Sequence, residues 1–129
     1  MQSTAEWISE NRFEMRTPNG AFFVGPKPGG AEDPSPVEYL AASLAGCVGH
    51  FVAKFLSRRG FEPKGLKISV AGTMAENPHR IGSFDIVVDL PKGITPELQE
   101  IARRAAETCT VHHTLLHPPK MTFTYNLPA

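Results

Sequence analysis

Cys47 and Cys109 are the only two thiols in this chain, and each has a histidine three positions on, His50 and His112. A pair of thiols supports disulfide exchange and stepwise oxidation, with the thiolate as the attacking species. Two Cys-x-x-His pairs also supply the Cys2His2 donor set that holds zinc tetrahedrally, although neither pair sits on the compact loops of structural zinc sites. His113 and His117 crowd the second cysteine. The plain alternative is a pair of small core residues, because free cysteine is among the most buried residue types.

Cys47 lies inside the segment Ser35–Gly60, which predicts a helix. Ser35-Pro36-Val37-Glu38 combines an N-cap serine, proline at the first helical position and an acid three residues after the cap. Apolar residues follow at helical spacing: Val37, Leu40, Ala41, Leu44, Val48, Phe51, Val52 and Phe55. Lys54, Arg58 and Arg59 suit the C-terminal end of the helix, and Gly60 suits its stop. Cys47 borders the buried face, beside Leu44 and Val48. A thiol in mid-helix gains nothing from its own helix N-terminus, so a stable thiolate calls for a nearby cation. Arg16 and Arg12, on the preceding strands, could reach back over the helix. Glu38 falls on the opposite side of the helix from Cys47, so it is expected to cap the helix or to orient an arginine rather than touch the thiol.

The remaining elements follow from alternation and turn chemistry. Glu6–Arg16 predicts one or two strands, Thr17-Pro18-Asn19-Gly20 a turn and Ala21–Val24 a further strand. The Pro/Gly-rich run Val24–Pro36 predicts an irregular loop. Gly65–Thr73 and Ile81–Leu90 alternate as strands. Thr95-Pro96-Glu97 opens a second helix whose apolar face runs Leu98, Ile101, Ala102, Ala105 and Cys109. Thr110–Leu116 adds a helical turn before Pro118, and Met121–Leu127 predicts a closing strand. The result is one α+β domain over 1–129 with antiparallel pairing: strands and loop over 1–34, a central helix over 35–60, and strands, second helix and last strand over 61–129.

A helix from Pro36 to Arg59 would run about 36 Å, against a radius of gyration of about 14 Å for a globule of this size. No residue from Tyr39 to Ala53 carries a fixed charge. So long a helix, burial-ready on nearly all sides, predicts a second subunit covering part of it, with Gly46 and Gly49 admitting a close approach. The uncharged run, interrupted by both glycines and His50, falls short of the roughly 20 apolar residues of a membrane span. Thirteen basic residues balance thirteen acidic ones, leaving no surplus to attract nucleic acid or an anionic membrane. The N-terminus lacks a signal-peptide pattern, which predicts the cytoplasm, where thiol pairs are transient and catalytic more often than structural.

SPVEYLAASLAGCVGHF resembles the helix bearing the reactive cysteine in the OsmC/Ohr family, and TCTVHHTLLHPPKMTFTYNL is similar to that family's second-cysteine motif. The resemblance covers essentially the whole chain. It implies an OsmC-like fold: antiparallel sheets with long central helices in an intertwined homodimer, and active sites at the subunit interface. It further implies that Cys47 attacks an organic hydroperoxide and becomes a sulfenic acid. Cys109 would resolve that acid as a disulfide, which an external dithiol reduces; an arginine, Arg16 before Arg12, would be oriented by Glu38. No cofactor is expected. In the best-known peroxidases of the family the glutamate stands where this chain has Val37. Two other readings stay open: a binding module for a small acyl or aromatic ligand with incidental thiols, and the Cys/His metal site.

Overall fold

Short alternating segments separated by tight turns can only pair with their neighbours, and the N-terminal quarter of the chain does so. The computed structural model describes residues 1–25 and 33–129. In it β1 (Thr4–Ser9), β2 (Arg12–Thr17) and β3 (Gly20–Val24) form one antiparallel sheet in that order. The predicted turn closes β2 onto β3, with the Asn19 amide donating to Thr17 Oγ1 at 3.2 Å. Register pairs Trp7 with Phe13 and Val24, and Ala5 with Met15 and Phe22. Those residues share one face, while Arg12, Glu14 and Arg16 fall on the other, because strand side chains alternate.

The Pro/Gly loop expected over Val24–Pro36 lies largely outside the described residues. Its two ends are nonetheless tied together. The Asp33 amide donates to Gly25 O at 3.0 Å, and Arg12 Nε donates to the Asp33 carboxylate at 3.1 Å. Gly25 holds φ +93, and a methyl built on it would overlap the Asn11 carbonyl. Gly25→Ala is therefore expected to destabilise the fold by at least ~1–3 kcal/mol from backbone strain alone. The loss would appear as a lower urea midpoint at unchanged slope.

The predicted central helix is α1 (Pro36–Arg58). Leu44, Val48, Val52 and Leu56 recur every fourth residue and are all buried, a stripe typical of a core helix. By length and composition alone the 23-residue helix would also pass for a membrane span, more so than its interrupted uncharged run suggests. Its first turns dock on the apolar face of the sheet: Tyr39 and Phe22 rings are 4.8 Å apart, and Tyr39 Oη donates to Phe23 O at 3.0 Å. At Gly49 the space beside the helix is filled by Ile68 of the same chain, whereas Gly46 faces open space.

β4 (Lys67–Ala75) and β5 (Arg80–Asp89) make a second, two-stranded sheet. α2 (Pro96–Glu107) begins as predicted, with Thr95 Oγ1 accepting from the Leu98 amide, and α3 (Thr110–Leu116) follows it. The predicted closing strand is absent: Met121–Leu127 carries no regular structure. A strand exists only by hydrogen bonding to another, and this segment has no partner among the described residues. It remains fully exposed with its alternation intact, the Phe123 and Tyr125 rings stacking at 6.5 Å. The chain groups into two compact units, one of Met1–Ser43 with Ala71–Phe84, the other of Leu44–Val70 with Asp85–Ala129. Both cysteines belong to the second.

Candidate active site

The position of Cys47 is set by the stripe beside it. Leu44 and Val48 are buried, and Cys47, between them in sequence and to one side on the helix, is half-buried. Cys109 is reached differently from what the apolar stripe of the second helix predicts. α2 stops at Glu107, because the chain turns back on it: the Thr108 hydroxyl donates to Ala105 O at 2.7 Å, the Thr108 amide to the same oxygen at 3.2 Å, and the Cys109 amide to Ala106 O at 3.3 Å. Cys109 then leaves the helical region, with φ −53 and ψ 131, and becomes the N-cap of α3. It is completely buried, and its Sγ accepts a hydrogen bond from the His112 amide at 3.4 Å.

This joint brings the two thiols together. The Cys109 thiol and the backbone amides of Thr110 and Val111 face the Cys47 sulfur as donors that favour its anion. Burial pushes the Cys47 thiol up, but those three donors together outweigh it and hold its pKa below the ordinary value of 9.0. Cys109 moves the other way. Burial raises it first, its bond to Cys47 and the charge on Cys47 raise it further, and the amides of His112 and Val111 do not offset them. The pair is thus polarised, with the anion favoured on Cys47 and the proton on Cys109. Neither is in a disulfide.

The other predicted residues have partners of their own. Glu38 takes the capping role: its amide donates to Ser35 Oγ, and Ser35 Oγ donates to its carboxylate, each at 3.2 Å. Arg16 is exposed and pairs with Glu14 on the same face of β2. Arg12 is held by Asp33 and lies 4.1 Å over the Phe23 ring. His50 is exposed and meets Phe51 edge-on at 5.7 Å. The His112 ring shares a hydrogen bond with the Glu107 carbonyl, for which Nδ1 must carry the proton. Among the described residues no three metal-ligating side chains converge, so the Cys2His2 set is not assembled.

Sequence reasoning missed the amides of Thr110 and Val111. The signal was the interruption itself: Thr-Cys-Thr, poor helix formers between two helical runs, marks a cap whose following amides are free to donate.

A family model described as OsmC-like protein matches residues 29–124. Among curated proteins none matches. Several solved structures share the fold. An osmotic stress induced and detoxification response protein from Psychrobacter arcticus superposes with a TM-score of 0.76 at 21% identity, over 88% of this chain and 87% of that one. An OsmC-like protein from Mycoplasma pneumoniae gives 0.77 at 16%, over 91% and 87%. The organic hydroperoxide resistance protein OhrB of Bacillus subtilis gives 0.54 at 22%, over 88% of each.

Proposed function

The chain belongs to the OsmC-like protein family, and from that premise we propose that it is a cysteine-based peroxidase acting on organic hydroperoxides. The observation that carries the reading is the polarised thiol pair, with the Cys47 pKa lowered and the Cys109 pKa raised by their shared surroundings. Cys47 Sγ attacks the outer oxygen of the hydroperoxide, the O–O bond breaks, and Cys47 becomes a sulfenic acid. The alkoxide that leaves takes a proton, for which the Cys109 thiol is the adjacent source, and departs as an alcohol. The Cys109 thiolate so formed attacks the Cys47 sulfur, hydroxide leaves and takes a proton from solvent to become water, and a disulfide results. An external dithiol returns both sulfurs to the reduced state. The peroxide as substrate is supported by the family and by the resistance function named for the Bacillus relative.

The rest of the site follows the same premise. Arg16 is the proposed cation for the peroxide and Glu38 its orienting acid, both in an interface between two copies of the chain. A homodimer is supported by the apolar surface that one chain leaves open: Met121, Phe123, Tyr125 and Leu127 on the C-terminal segment, and Leu115 and Leu116 on α3. The proposed setting is the cytoplasm, where dithiol reductants are available.

Intact mass of the reduced protein after one equivalent of cumene hydroperoxide tests the reading. Loss of two hydrogens, restored by a dithiol, is the expected result. Both thiols remaining free, with the peroxide unconsumed, would sink it.

A further inference from the structure

The last turns of α1 border a cavity of about 650 Å³, within the range of small-ligand sites. It is lined by half-buried Phe51 and Phe55, which make an apolar floor with Ala105, by Thr108 of the α2–α3 joint, and by the exposed cations Lys54, Arg58 and Arg59. The Arg59 guanidinium lies 4.7 Å over the Phe55 ring, so a planar donor group is laid against the apolar floor. Among the described residues none of these three cations is in an ion pair. Basic residues near a helix C-terminus also complement its dipole. That role requires neither an apolar floor nor a guanidinium stacked across it.

We propose that this cavity binds a small anionic amphiphile, a molecule with an apolar body and a single carboxylate or phosphate head. The body lies on Phe51 and Phe55, and the head accepts hydrogen bonds from Arg58, Arg59 and Lys54. Guanidinium groups suit both heads, because their paired N–H donors match two oxygens at once. The site adjoins the thiol pair: Phe51 is one helical turn beyond Cys47, and Thr108 immediately precedes Cys109. Binding there is a property of the reduced protein and does not depend on turnover of a peroxide.

Titration calorimetry on the reduced full-length protein tests it, with octanoate, octyl phosphate, octanol and octylammonium as probes. At low salt at least one anion is expected to bind, and the tighter of the two identifies the head group. Octanol should bind about tenfold more weakly or less, the scale of one charge-assisted hydrogen bond. Added salt should weaken the anion alone. Replacing Arg58 and Arg59 together by alanine should reduce anion affinity about tenfold or more while leaving octanol unchanged. Arg58→Gln, which leaves the stacked Arg59 in place, should give a smaller loss of the same kind if the double variant fails to fold. Octanol or octylammonium binding as tightly as the anions would overturn the proposal. So would undiminished anion binding by the variants, or no anion binding at all.

Discussion

Cys47→Ser should abolish catalysed consumption of an organic hydroperoxide, a loss of roughly 10³-fold or more, the scale seen when an enzyme loses its nucleophile. The reason is electronic rather than steric. A serine hydroxyl at the same place keeps the helix and nearly the same volume, and it can still accept from the Cys109 thiol and the amides of Thr110 and Val111. It cannot ionise near neutral pH or be oxidised to a sulfenic acid, so the first bond never forms. The measurement is peroxide consumption against an external dithiol, with the urea midpoint as a check that the fold persists. Residual turnover within tenfold of the parent would mean that the chemistry does not begin at Cys47.

Cys109→Ala should produce the second large effect, on the pH dependence of Cys47. The Cys109 thiol is the largest of the donors that lower the Cys47 pKa. Without it, burial is opposed only by the two amides, and the inflection in Cys47 alkylation against pH should move upward. Cys109→Ser restores an O–H donor and should return part of the shift, which separates hydrogen bonding from a change of packing. Both variants should stop at the sulfenic acid after peroxide treatment, trapped by the carbon nucleophile of a 1,3-diketone, because no resolving thiol remains. An unshifted inflection in Cys109→Ala would remove the polarised pair as the basis of reactivity. The same shift also links to stability. Ionised Cys47 favours the folded state above its unfolded pKa, near 9.0, and that contribution fades as pH falls through the lower folded value. Cys109, shifted upward, contributes below its unfolded pKa and loses the contribution as pH rises through its folded value.

Much of this arrangement is readable from the residues. Ser35-Pro36 and Thr95-Pro96 mark where α1 and α2 begin, because caps are local chemistry. The every-fourth-residue stripe on α1 shows that Cys47 flanks buried surface. The two sequence motifs suggest the family, and the family model and fold agree with them. What stays hidden depends on partners. Met121–Leu127 has the alternation of a strand, but alternation does not supply the chain it must pair with. The cation expected beside Cys47 is another case. The donors beside its sulfur are the Cys109 thiol and two peptide amides, and peptide amides belong to every residue, so no sequence pattern highlights them. Cys109 reads as the end of one helix and is the cap of the next, since cysteine is not among the residues that usually mark a cap.

That cap has a further consequence. Cys109 Sγ gives its proton toward Cys47 and at the same time accepts the His112 amide that opens α3. Once the sulfur is bonded to Cys47 it has no proton to give and becomes a weaker acceptor for the His112 amide, leaving the first turn of this seven-residue helix held mainly by the His113 amide on Cys109 O. Oxidation of the pair is therefore expected to loosen the first turn of α3, read as faster deuterium uptake at the His112 amide without any label on the sulfurs.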